Sequence, residues 1–158
     1  MSIDDFLNNL DAKKKAQVEK ARKEQEEKEM LTKKAENYIS EFNQYYVERI
    51  LPEFQAIGEK LVDRFEVEID KETVVQQGLT NQARIILKSK FDNGFKKFEI
   101  VVIGEGRREL ITLVAYPYTV NDSRIDSRTI STFQDTMIEF KKLNLETEIG
   151  GILTQLYI

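Results

Sequence analysis

The hydrophobic positions of this chain change their period twice, and each change predicts a different structure. Ile3, Phe6, Leu7 and Leu10 recur at spacings of three and four, which predicts a sticky face at the start of a helix. From Asp11 to Glu29 only Ala12, Ala16, Val18 and Ala21 are small or apolar, and neither glycine nor proline interrupts the run. Nothing there builds a core. Its acid-before-base pairs at i,i+4, Glu19 with Lys23, Glu24 with Lys28 and Glu29 with Lys33, each stabilise a solvated helix by about 0.2–0.5 kcal/mol. Residues 1–30 therefore read as a charged helical arm, either a solvated rod or a coiled coil, the latter needing sustained apolar seam positions.

Beyond Met30 the pattern strengthens, with Leu31, Ala35, Tyr38, Phe42 and Tyr45 alternating spacings of four and three as a buried stripe requires. Tyr46, Ile50, Phe54, Ile57 and Leu61 continue it, but consecutive fours at Phe42, Tyr46 and Ile50 rotate the stripe and imply a bend. Pro52 lacks an N–H and clashes with the preceding turn, so the helix expected over 31–63 should kink near 52, with its break at Leu51. Aromatic residues this dense on one helix are expected to lie against a sheet.

After Arg64 the period falls to two, as Phe65, Val67 and Ile69 alternate with Glu66, Glu68 and Asp70. Strands are expected at about 64–70, 83–91, 95–103 and 109–116, with residues 71–82 as a connection. Asp92-Asn93-Gly94 and Gly104-Glu105-Gly106 supply the turns, and Pro117 ends the last strand. Ile130, Phe133, Met137 and Phe140 return to spacings of three and four, and Ser131 with Gln134 resembles a capping box, so helices are expected at about 131–143 and 147–157. Gly150-Gly151 weakens the second of these. The predicted class is α+β: a long charged N-terminal helix, then a four-stranded antiparallel meander packed by helices over 31–158. This order resembles the RWD topology, in which a helix precedes a four-stranded meander that helices close. Tyr116-Pro117 is similar to that family's tyrosine-proline turn, although its second proline is missing here. The resemblance implies a non-catalytic interaction module.

Composition narrows the chemistry. The 158 residues contain no cysteine and no histidine, which removes disulfides, thiolate and imidazole nucleophiles and the commonest metal ligands together. Carboxylates remain, and Glu66, Glu68 and Asp70 share one strand face, but alternating acids there read as its solvated side. No catalytic residue, cofactor or metal is predicted. Gly104-Glu105-Gly106-Arg107-Arg108 lacks the third glycine and following helix of a dinucleotide loop and reads as a hairpin turn.

Net charge is only −4, from 24 basic and 28 acidic residues, so a nucleic-acid partner would need a local patch. Arg84, Lys88, Lys90, Lys96, Lys97, Arg107 and Arg108 are its candidates, with Phe91 and Phe95 as stacking neighbours. The opening Met1-Ser2-Ile3-Asp4-Asp5-Phe6 carries no apolar run of signal-peptide length, and no stretch approaches the ~18 apolar residues of a membrane span. A cytoplasmic protein without membrane contact is expected. Amphipathicity without chemistry predicts a non-enzymatic adaptor or structural subunit, whose tip residues Ile3, Phe6, Leu7 and Leu10 mediate self-association or docking on a protein partner. A nucleic-acid-binding accessory protein is the alternative.

Overall fold

A computed structural model of the chain describes residues 2–76, 78–90, 97–119, 121 and 123–156. By internal contacts the chain divides into two units, Met1–Lys34 and Ala35–Ile158. Helix α1 spans Ile3–Tyr45 and supplies all the regular structure of the first unit. Its start carries a reciprocal cap: Ser2 N donates to Asp5 Oδ2 at 3.2 Å, and Asp5 N donates to Ser2 Oγ at 3.1 Å. Every residue from 11 to 30 is exposed, in keeping with a stretch whose only large apolar side chains are Val18 and Met30. There Arg22 joins two carboxylates, pairing with Glu19 one turn before it and with Glu26 at 2.6 Å one turn after.

The second unit is α+β, with helices packed on one face of an antiparallel sheet. Its strands are β1 (Phe65–Ile69), β2 (Val74–Gln76), β3 (Thr80–Ser89), β4 (Lys97–Glu105), β5 (Leu110–Tyr118) and β6 (Ile130–Asp135), six among the described residues where four were expected. Their order is β1-β3-β4-β5-β6, with β2 also on β3. Helix α2 (Leu51–Leu61) precedes the sheet, and α3 (Met137–Phe140) and α4 (Leu145–Leu156) follow it. Ala83, Ile85, Leu87, Phe98, Ile100, Val102, Ile111, Leu113 and Ala115 alternate along the three central strands and meet the helices in one core.

The break expected at Leu51 falls earlier and takes another form. Tyr46–Ile50 is a π-helical turn, in which Leu51 N donates to Tyr46 O, and the backbone stays helical from Tyr45 through Leu51. The wider turn explains the consecutive fours. In a regular helix Phe42, Tyr46, Ile50 and Phe54 would drift steadily around the axis. The π turn absorbs that drift, and all four are fully buried. Pro52 then sits in the first turn of α2, where a missing N–H is harmless.

Further expectations are corrected. Residues 71–82 hold a strand rather than a bare connection: β2 pairs Val74 with Gln82 and Gln76 with Thr80 through a turn at Gly78, whose φ is +81. β3 is long enough for β2 and β1 to lie end to end along it.

The helix expected at 131–143 is instead β6 followed by the short α3. Register slips beside β6, where Leu113 faces Phe133 but Val114 faces Ser131, leaving Thr132 as an extra residue. The bulge lets Ile130 and Phe133, three apart, both pack on the core, which imitates a helical period. Ser131 is accordingly no cap; Thr136 caps α3, its Oγ1 accepting from Glu139 N at 3.4 Å.

Pro117 does not end its strand, and Tyr116-Pro117 is no turn. β6 leaves β5 after the Ala115–Ile130 pair, so Pro117 stands on a free edge facing the loop whose Ile125 N donates to Pro117 O at 2.9 Å. N–H and C=O of one strand residue point the same way, so the proline interrupts no bond to β4. The Asp92-Asn93-Gly94 turn lies outside the described residues, as do Phe91, Phe95 and Lys96.

Candidate interaction surfaces

Two surfaces carry the predicted site residues. On the arm, Ile3 is 78% exposed, Phe6 55% and Leu7 46%, while Leu10 is half-buried. Four apolar side chains within about two turns thus meet solvent in the first unit. Leucine and phenylalanine gain about 1.5–3 kcal/mol on full burial, so the face retains most of its capacity to bind.

The second surface is the outer face of the sheet. Alternation turns Arg84, Ile86 and Lys88 of β3, Lys97, Glu99 and Val101 of β4, and Val114, Tyr116 and Tyr118 of β5 away from the helices. Antiparallel register puts Glu99 opposite both Ile86 and Tyr116, and Lys97 opposite Lys88 and Tyr118. Glu99 is buried, and three partners compensate it: Arg84 Nη1 at 3.6 Å, Lys97 Nζ at 3.4 Å and the Tyr118 hydroxyl, which donates to Oε2 at 3.1 Å. Arg84 also donates through its backbone N and its Nε to Asp70 Oδ2, at 2.9 and 3.2 Å. The Asp70 bond raises the arginine above its ordinary pKa and keeps it charged. Arg124 completes the face, its guanidinium 3.8 Å from the Tyr116 ring centroid and its Nη2 3.4 Å from the Tyr118 hydroxyl.

The predicted basic patch is therefore divided and largely answered by acids. Lys88 meets Glu68 at 3.1 Å, and Lys90 donates to Val62 O at 2.5 Å. Arg107 is exposed in the turn after β4, and Arg108 pairs with Glu105 at 3.2 Å. Lys97 opens that strand, so the two arginines lie about 26 Å from it by strand rise. Arg84, Lys88 and Lys97 come together; Arg107 and Arg108 do not join them.

The acids on and just after β1 are likewise separated. Glu68 goes to Lys88 and Asp70 to Arg84, and among the described residues no group of three potential ligands gathers as a metal site. The turn expected at Gly104-Glu105-Gly106 begins only at Gly106, since Gly104 and Glu105 belong to β4, and both glycines serve packing: an added Cβ would lie 2.7 Å from Phe42 Cγ at Gly104 and 2.6 Å from Ala35 O at Gly106. No described helix is long and apolar enough to cross a membrane.

Sequence reasoning missed Glu99, Tyr116, Tyr118 and Arg124. The signal was present: Glu99 is a lone acid in the apolar run Phe98–Ile103, and alternation puts it with Lys97 on the face opposite Phe98 and Ile100. Compared with protein-family models, curated proteins and solved structures, the chain matches none.

Proposed function

We propose that the chain is a non-enzymatic adaptor or structural subunit that acts through protein–protein contact, with the arm as its association element. One observation carries this reading: Ile3, Phe6 and Leu7 stay exposed at the start of α1, while the second unit closes a core without them. The outer sheet face supports it, since Tyr116, Tyr118 and Arg124 are of the residue types that dominate interface energetics. The nucleic-acid alternative draws less support, because Arg84, Lys88 and Lys97 each face a carboxylate. Filter binding across a salt series addresses that alternative, which predicts retention at low salt.

The test compares full-length protein with the Phe6→Glu, Leu7→Glu variant by sedimentation velocity and by partner retention. The full chain should assemble or hold a partner, and the variant should do neither. Two monomers that both fail to retain a partner would overturn the reading.

A further inference from the structure

The arm carries a heptad seam that its apolar tip only begins. Ile3, Leu7, Leu10, Lys14, Gln17, Ala21, Glu24, Lys28 and Leu31 follow one another at alternating spacings of four and three without a break, so all fall on the a and d positions of one frame. The seam is apolar at both ends, and between them it carries Lys14, Gln17, Ala21, Glu24 and Lys28. All of it from Lys14 to Leu31 is exposed.

The distribution of ion pairs adds a second observation. Glu19, Arg22 and Glu26, which pair within the helix, occupy f, b and f of this frame, the side facing away from the seam. Lys14 and Glu24 lie on the seam, and among the described residues neither has a hydrogen bond or ion pair within the chain.

A parallel copy in register would set Lys14 on Lys14, Glu24 on Glu24 and Lys28 on Lys28, repelling at three seam layers. An antiparallel copy pairs each a position with a d position. Aligned so that Leu7 meets Leu31, it also sets Lys14 against Glu24, Gln17 against Ala21 and Leu10 against the aliphatic stem of Lys28. Alongside the seam, Lys13 falls beside Glu27, both at g, where antiparallel helices exchange charges. Shifting by one heptad in one direction opposes Leu7 to Glu24. The opposite shift sets Lys14 against Leu31 and Glu24 against Ala21, so neither charge meets its complement.

From this complementarity we infer that the arm's partner is a second copy of the same arm, paired antiparallel with Lys14 of each chain against Glu24 of the other. This rests on the arm being an association element and names what it associates with. The paired segment is about 40 Å long at 1.5 Å per residue, with few large apolar layers, so the dimer should be reversible and weakened by salt.

The chain has no cysteine, so single substitutions report orientation cleanly. Full-length Lys14→Cys and Glu24→Cys proteins are prepared separately, then oxidised or bridged by a short bis-maleimide, alone and as an equal mixture. Cross-linking only in the mixture is the expected result. Self-cross-linking of each variant alone would overturn the antiparallel arrangement and leave the arm as an association element. No cross-link, with unmodified protein a monomer at all concentrations, would overturn self-pairing; the proposed function would then stand or fall on whether the full chain, and not the Phe6→Glu, Leu7→Glu variant, retains another protein. As an independent arm, Lys14→Glu and Glu24→Lys should each raise the dimer dissociation constant about tenfold, and the double swap should restore it, which no parallel pairing permits.

Discussion

Gly104 lies under the ring of Phe42, so close that a methyl group at its Cα would sit 2.7 Å from the aromatic Cγ. The helix can approach the sheet at this depth only because β4 has a residue without a side chain there. Gly104→Ala should lower stability by about 1–3 kcal/mol, from overpacking against a fully buried ring. Gly150→Ala and Gly151→Ala supply the contrast. Both stand in α4 with nothing near the added methyl, and each should stabilise by about 0.5–1 kcal/mol. Urea unfolding of the three variants separates the two directions.

Thr136 and Ser131 test where the last helical region begins. Thr136→Ala removes the side-chain acceptor of Glu139 N and should cost about 0.5–1 kcal/mol, at the low end because the bond is long. Ser131→Ala, on an exposed strand position, should change stability by less than about 0.5 kcal/mol. The reverse ranking in thermal denaturation would restore the capping box at Ser131.

Tyr38 should make the fold sensitive to alkali. Burial, reinforced by Glu109, Glu41 and Glu105, pushes its phenol up to about 12. Tyr46 is pushed up too, by burial and then by Asp70. An acid whose folded pKa is raised holds its proton longer in the native state. The stability it contributes is therefore intact below the unfolded phenol's value of about 10 and is lost as pH rises toward about 12. The Tyr38 hydroxyl is buried without a hydrogen-bond partner among the described residues, so Tyr38→Phe should keep neutral-pH stability and move alkaline unfolding to higher pH. Phenolate absorbance followed together with circular dichroism measures both.

Glu99 anchors the outer face. Glu99→Ala should destabilise by about 1–2 kcal/mol, since it strips Arg84, Lys97 and Tyr118 of a shared acceptor. Adding Lys97→Ala should cost less than the sum of the two single changes, because the lysine has then already lost its partner. A double-mutant cycle in guanidinium reads the coupling.

Elements whose local pattern and environment agree were legible from residues alone. Phe65, Val67 and Ile69 face a core and their neighbours face water, so β1 shows its period plainly. β2 was hidden because Val74 and Val75 are both exposed in a strand of only three residues, leaving nothing to alternate. β6 was misread because its bulge places Ile130 and Phe133 three apart on one side; the β-branched run Thr129, Ile130 and Thr132 was the better signal. Among the candidate surfaces, the arm's apolar tip was visible because a polar stretch follows it at once. The Arg84–Glu99–Tyr118 cluster was not, because it joins three strands whose register depends on turns that alternation does not specify.

The wide turn at Tyr46–Ile50 fixes the reading frame of everything after it. Winding the same five residues as a regular helix would swing Phe54 and Ile57 by about 100° around the axis and off the sheet. A locally more ideal helix would thus be globally worse: the irregular turn is what keeps two hydrophobic stripes in phase.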